Sequence, residues 1–246
     1  MGKWQQHSVA GHPCDLFLPD SQNLHGYVII YLHGVHLQKL NDKPDFVRQF
    51  EQHGLPVVAP ITQRSWWTDR LCDEFDSSLS AEQYLIENVL PWIEQQFGSR
   101  SPRIGLLGTS MGGQGALRFA YKYPDIFPAV AAISPAIDYQ CRFINGDEII
   151  RTMYSTEEAV RQDTATLHVH PLNWPRHQFF SCDPVDSMWF DSSDRLRMKL
   201  SSLGIPYECD LETSHGGHGF EYYNYMAKRA VQFLVESLEQ ERMRII

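Results

Sequence analysis

Residues 103–120, RIGLLGTSMGGQGALRFA, restrict this chain more than any other stretch. An apolar run of strand type enters Gly108-Thr109-Ser110-Met111-Gly112, and a helical pattern rich in small residues leaves it. In that context G-x-S-x-G marks a sharp, strained strand-to-helix turn that lifts a serine hydroxyl off the carboxyl end of a sheet. Glycines are required on either side because side chains there would collide with neighbouring backbone. Gly113, Gly115 and Ala116 extend the requirement, letting the helix lie close on the sheet. The helix N-terminus under Ser110 turns partial positive charge and free N–H groups toward any oxygen that gains charge there.

The remainder of the chain supplies the sheet that such a turn needs. Strand-type runs at 13–18, 26–32, 55–59, 103–108, 129–133, 177–181 and 205–211 alternate with helical patterns. That alternation predicts an α/β fold with a mostly parallel central sheet of about eight strands flanked by helices. The run GYVIIYL at 26–32 is almost continuously apolar, as expected of a central strand buried on both faces. Ser80-x-x-Gln83 reads as a capping box opening a helix over 80–97, with Leu79 and Tyr84 placed as a hydrophobic staple. Pro91 should kink or restart that helix, because its ring removes a donor and crowds the preceding turn. Residues 138–171 have no sheet role; their mixture of charged residues with Phe143, Ile149, Ile150, Met153 and Tyr154 predicts an ordered insertion over the active-site edge, or a helix simply packed on the scaffold. One domain is expected over 1–246.

Charge and cysteine usage remove several function classes. The net charge is −9, from 21 basic against 30 acidic residues, and the basic residues are scattered, so no nucleic-acid partner is expected. No run of about 18 apolar residues and no N-terminal h-region occurs, which predicts no membrane partner and a cytoplasmic location. Five separated cysteines, odd in number and without a C-x-x-C pair, indicate neither a disulfide framework nor a metal site.

A serine hydroxyl is a weak nucleophile until a base takes its proton, and after a G-x-S-x-G turn the chain order is serine, acid, histidine. Of the 11 histidines only His215 and His218 fall in the glycine-rich loop SHGGHGF after the last predicted strand, and His218 is the preferred base. The acid must follow the strand HQFFS, where Asp183, Asp186 and Asp191 all lie. Asp186 is preferred; at least two of the three must be turn or cap residues, so amides at Asp183 and Asp191 are expected to cost little. For an oxyanion the expected donors are the backbone N–H groups of Met111 and of Val35 in Leu32-His33-Gly34-Val35-His36, with His33 and His36 shaping the loop. Trp66 and Trp67 lie in a loop at the carboxyl edge and either line a substrate pocket or bury themselves against 138–171. At least two of Tyr222, Tyr223 and Tyr225 are expected to pack.

With these pieces in place, the chain resembles the esterase branch of the α/β-hydrolases that includes S-formylglutathione hydrolase (esterase D), feruloyl esterases and the antigen 85 mycolyltransferases. The resemblance is carried by GTSMGGQGALRFA followed by YPDIFPAVAAISP, by CDPVD before DRLRMKLSSLGIPYE, and by GGHGFEYYN, where Phe220 stands for the branch's Trp. It implies the α/β-hydrolase fold, a Ser110, Asp186, His218 triad, and hydrolysis of a small-molecule ester or thioester without metal or organic cofactor. The loop YLHGVH departs from that of S-formylglutathione hydrolases, so glutathione thioesters are not implied. Acyl transfer by the same residues is an alternative, and an inactive ligand-binding relative is a more remote one.

Overall fold

In the computed structural model, which describes residues 2–244, eight strands join in one sheet of order β1-β2-β4-β3-β5-β6-β7-β8. They are β1 (Lys3–Val9), β2 (His12–Leu18), β3 (Val28–Leu32), β4 (Val57–Pro60), β5 (Ile104–Thr109), β6 (Ala129–Ile133), β7 (His177–Ser181) and β8 (Glu208–Asp210). β1 and β2 form an antiparallel hairpin through Ala10 and Gly11, β2 runs antiparallel to β4, and β3 to β8 are parallel. Seven of the strands fall where the sequence places them, within two or three residues. β1 was not expected: KWQQHSV has one neighbour and mostly exposed side chains, so it carries little apolar signal. The ends of the 1–246 span, Met1 and residues 245–246, lie outside the described residues.

Both faces of the sheet are covered, which explains the unbroken apolar runs. In β3, Val28, Ile30 and Leu32 join one core while Ile29 and Tyr31 join the other. β6 divides the same way, Val130 and Ala132 against Ala129, Ala131 and Ile133. Each large side chain so buried contributes roughly 1.5–3 kcal/mol. In chain order the helices are α1 (Pro44–Gln52), α2 (Ala81–Gln83), α3 (Leu90–Phe97), α4 (Met111–Lys122), α5 (Gln140–Ile144), α6 (Glu148–Met153), α7 (Glu157–Gln162), α8 (Phe190–Leu203) and α9 (Phe220–Met243). α1 and α9 cover one face; α4 lies on the other beneath Ser110. Among the described residues no helix is long and apolar enough to cross a membrane.

The capping box forms as read: Ser80 Oγ accepts from the Gln83 N–H at 3.1 Å and Gln83 Oε1 from the Ser80 N–H at 3.2 Å. Between α2 and α3 the chain widens into a π-helical turn, Tyr84–Val89, and the Leu90 N–H bonds Leu85 O. The wider turn precedes Pro91, whose ring would otherwise meet the carbonyl of the preceding turn.

Residues 138–171 form α5, α6, α7 and a 3₁₀ turn, Ala165–His168, fastened to α4 and α8. Buried Arg118 of α4 pairs with Glu82 and with Asp163, at 2.5 Å to the latter. Gln114 Oε1 accepts from the Ala165 N–H at 2.7 Å, and Lys199 donates to Thr166 O at 2.6 Å. The segment therefore packs as part of the scaffold.

Candidate active site

β5 delivers Ser110 into a backbone conformation few side chains adopt, φ 54° and ψ −119°, and α4 begins at the next residue. The turn closes because Gly112 has no Cβ: one there would stand 1.9 Å from Leu32 O. The same geometry leaves the Met111 N–H, and across the cleft the Val35 N–H, without an acceptor among the described residues. Both are directed by fixed backbone.

His33 explains how the Val35 N–H is fixed. Its Nε2 lies 3.1 Å from the Thr62 N–H, which can only donate, so Nε2 is unprotonated and Nδ1 carries the hydrogen. Nδ1 then donates to Gly34 O at 2.9 Å, and the Leu37 N–H bonds the same carbonyl at 3.0 Å. Holding that carbonyl aims the N–H of the same trans peptide, that of Val35, the opposite way. Burial lowers the His33 pKa to about 4, against the raising effect of Gly34 O, so the ring stays neutral.

The loop after β7 and the loop before α9 bring the other two side chains to Ser110. Ser110 Oγ is 3.0 Å from His218 Nε2, and His218 Nδ1 is 2.7 Å from Asp186 Oδ2. Asp186 is 2% exposed. Its Oδ1 accepts from the N–H groups of Met188 and Trp189 at 3.1 and 3.2 Å, and the Cys182 thiol donates to Oδ2 at 3.6 Å. Those donors fix the carboxylate's rotation, so Oδ2 is presented to the imidazole.

Asp183 has a different task. Oδ1 accepts from the Val185 N–H at 2.9 Å, shaping its own turn as the sequence suggests. Oδ2 reaches across to the N–H groups of His215 and Gly217, at 2.6 and 2.9 Å. Burial pushes its pKa up, but these three N–H groups outweigh that and hold the carboxyl below its ordinary range. A single buried carboxylate thus ties the acid loop to the histidine loop. His215 turns away, its ring stacked on Tyr225 at 4.4 Å, and Asp191 is exposed in the first turn of α8.

The tryptophans do not line the cleft. Trp66 stacks on Tyr139 of the 138–171 segment at 4.5 Å. Trp67 donates from Nε1 to His33 O at 3.1 Å and rests on Gly115, where a Cβ would be 2.5 Å from Trp67 Cβ. Both are buried, so the pocket role considered for them gives way to packing: the small residues of α4 leave a space that only a large ring fills. The cleft at Ser110 holds about 90 Å³ and is bounded by Gly34, Val35, His36, His218, Phe220 and Tyr223. No residue of 138–171 borders it. Larger open depressions of about 590, 490 and 540 Å³ run along α9 and the β8 edge, and none includes Ser110. The sequence expects at least two of Tyr222, Tyr223 and Tyr225 to pack; Tyr223 is buried, and its hydroxyl is 3.0 Å from His218 Nε2. Its place in the first turn of a helix starting two residues after His218 was the available signal.

The family model Esterase, described as "Putative esterase", matches residues 13–225. Esterase Rv1288 of Mycobacterium tuberculosis (strain ATCC 25618 / H37Rv) is 25% identical over 260 aligned residues, covering 89% of this chain and 55% of that protein. The chain thus spans about half the length of that curated relative. Among solved structures, the substrate-bound fluorophosphonate-binding serine hydrolase FphF of Staphylococcus aureus superposes with a TM-score of 0.76 at 19% identity, over 95% of this chain and 98% of that one. An S-formylglutathione hydrolase from Agrobacterium tumefaciens gives 0.75 at 17% identity, over 96% and 94%. At such identities the superpositions speak for the α/β-hydrolase fold, which the strand order shares. The family match, running from β2 into α9, carries the assignment: this chain belongs to the Esterase family.

Proposed function

We propose that the chain is a serine esterase that cleaves small carboxylic esters or thioesters through an acyl-enzyme on Ser110, with His218 as base and Asp186 as orienting acid. The reading is carried by the unbroken relay from Ser110 Oγ through His218 to Asp186, with contacts of 3.0 and 2.7 Å. Asp186 accepts the Nδ1 hydrogen, so Nε2 is free to take the serine proton. Oγ attacks the carbonyl carbon, and the resulting oxyanion receives hydrogen bonds from the N–H groups of Val35 and Met111. His218 then returns the proton to the leaving group, and water repeats the sequence on the acyl-enzyme. The cleft over Ser110, at about 90 Å³, is far smaller than the open depressions along α9, which favours a short acyl group.

A fluorophosphonate should label Ser110 stoichiometrically, and Ser110→Ala should lower kcat on a p-nitrophenyl acetate assay by about 10⁴-fold or more. Labelling elsewhere, or an active Ser110→Ala protein, overturns the reading. Added acceptor alcohols report on acyl transfer: transesterified product in place of free acid would make the enzyme a transferase with the same site.

A further inference from the structure

Tyr223 is 4% exposed, and its hydroxyl makes its hydrogen bond to the nitrogen that the proposed reaction depends on. His218 Nε2 has one lone pair, and two hydroxyls stand 3.0 Å from it, Ser110 Oγ and the Tyr223 oxygen. The tyrosine ring is fixed edge-on against its neighbours, at 88° to the His218 ring and 66° to the Phe220 ring. Burial raises the phenol well above the ordinary tyrosine range, against the Ser110 hydroxyl, which pulls it down, so it remains a donor. It also borders the same cleft as Ser110 and Val35.

Resting on the Ser110 and His218 reading, we propose that Tyr223 is a further catalytic residue: its O–H hydrogen-bonds the leaving-group oxygen during acylation and the attacking water oxygen during deacylation. When Ser110 Oγ bonds the carbonyl carbon, the carbonyl π pair moves onto oxygen and the serine proton passes to Nε2. The Nε2 lone pair is then consumed, and the Tyr223 O–H is released from the nitrogen. The atom that next gains charge is the leaving-group oxygen, which must lie within hydrogen-bond reach of Nε2–H to receive its proton. The phenol stands beside the same nitrogen and borders the same cleft, which is why the proposal sets its O–H against that atom. As the tetrahedral species collapses, the carbon–oxygen bond breaks, its electron pair stays on the leaving oxygen, and the Nε2 proton transfers there. Tyr223 keeps its own proton throughout. In the reverse half, water occupies the leaving-group position, accepts from Tyr223 and gives its proton to Nε2.

The role predicts dependence on the leaving group, which packing alone does not. A p-nitrophenolate departs without help, whereas an alkoxide needs a donor. Tyr223→Phe should therefore lower kcat/KM for an ethyl ester by roughly 10–100-fold and for the p-nitrophenyl ester of the same short acid by less than about 3-fold. The Phe variant keeps the ring and its packing, and an unchanged melting temperature with stoichiometric fluorophosphonate labelling of Ser110 certifies the site. Equal losses on both esters, or none on either, overturn the proposal. Failure of the underlying reading shows separately, as activity surviving in Ser110→Ala.

Discussion

The two halves of the candidate site are built by different means. On one side, the serine turn and the loop after β3 are held through backbone: an abrupt φ at Ser110, a glycine whose missing Cβ admits Leu32 O of the neighbouring strand, and a histidine bonded to the carbonyl of the next residue. On the other, Asp186 and His218 sit on loops 32 residues apart, joined by a carboxylate at Asp183 that spans the gap. The first half is rigid because backbone sterics and hydrogen bonds to backbone leave it little choice. The second is rigid only while a cross-loop clasp holds, so its weak points lie in residues that never meet substrate.

The comparison can be broken hardest at Asp186. Asp186→Asn keeps the shape but presents the wrong partner to His218 Nδ1, and kcat should fall by about 10⁴-fold in a protein whose circular dichroism is unchanged. Near-normal turnover would remove Asp186 from the relay.

On the other half the sharpest probe is acid. Above pH 6.5 His33 is neutral in the folded and unfolded chain alike. As pH falls, the unfolded chain takes up a proton at 6.5 while the folded one refuses it until about 4. Stability from this residue is therefore full above 6.5 and is lost between 6.5 and 4, by about 3 kcal/mol in total. Urea midpoints followed over that range should drop more steeply for the wild type than for His33→Gln; parallel curves would show that His33 is not held neutral.

Asp183→Asn tests the clasp. The sequence alone makes this change cheap, whereas the fold makes it costly, because an amide cannot accept from all three N–H groups with the same charge. About 1–3 kcal/mol of stability and roughly tenfold in kcat should be lost, with the loss of kcat reduced at low temperature as the loop re-orders. Wild-type stability in Asp183→Asn would mean the two loops need no tie. The smallest effect is expected at His215, whose ring stacks on Tyr225 away from Ser110: His215→Ala should stay within about twofold of wild-type kcat, and abolished turnover would transfer the base to it.

Much of this was legible in the chain itself wherever the signal was local. The turn around Ser110, the capping box at Ser80, the restart before Pro91 and seven of the strands each depend on residues a few positions apart, so periodicity, glycine spacing and proline reveal them. Other features carry no local signal. β1 is a polar edge strand whose pairing, not its composition, makes it a strand. Trp66 and Trp67 looked equally able to line a pocket or fill a core; the gap over Gly115 and the face of Tyr139 decided for the core. The sequence by itself determined a parallel sheet bearing a serine on a strained turn, because that turn's sterics admit few alternatives. Which of several aspartates and histidines would converge on the serine, that Asp183 would bind the two loops, and that a tyrosine hydroxyl would share the same imidazole nitrogen were decided only by tertiary structure. Those contacts join residues up to 108 positions apart, and the strand pairing, the packing of α9 and the Asp183 contacts together set their distances.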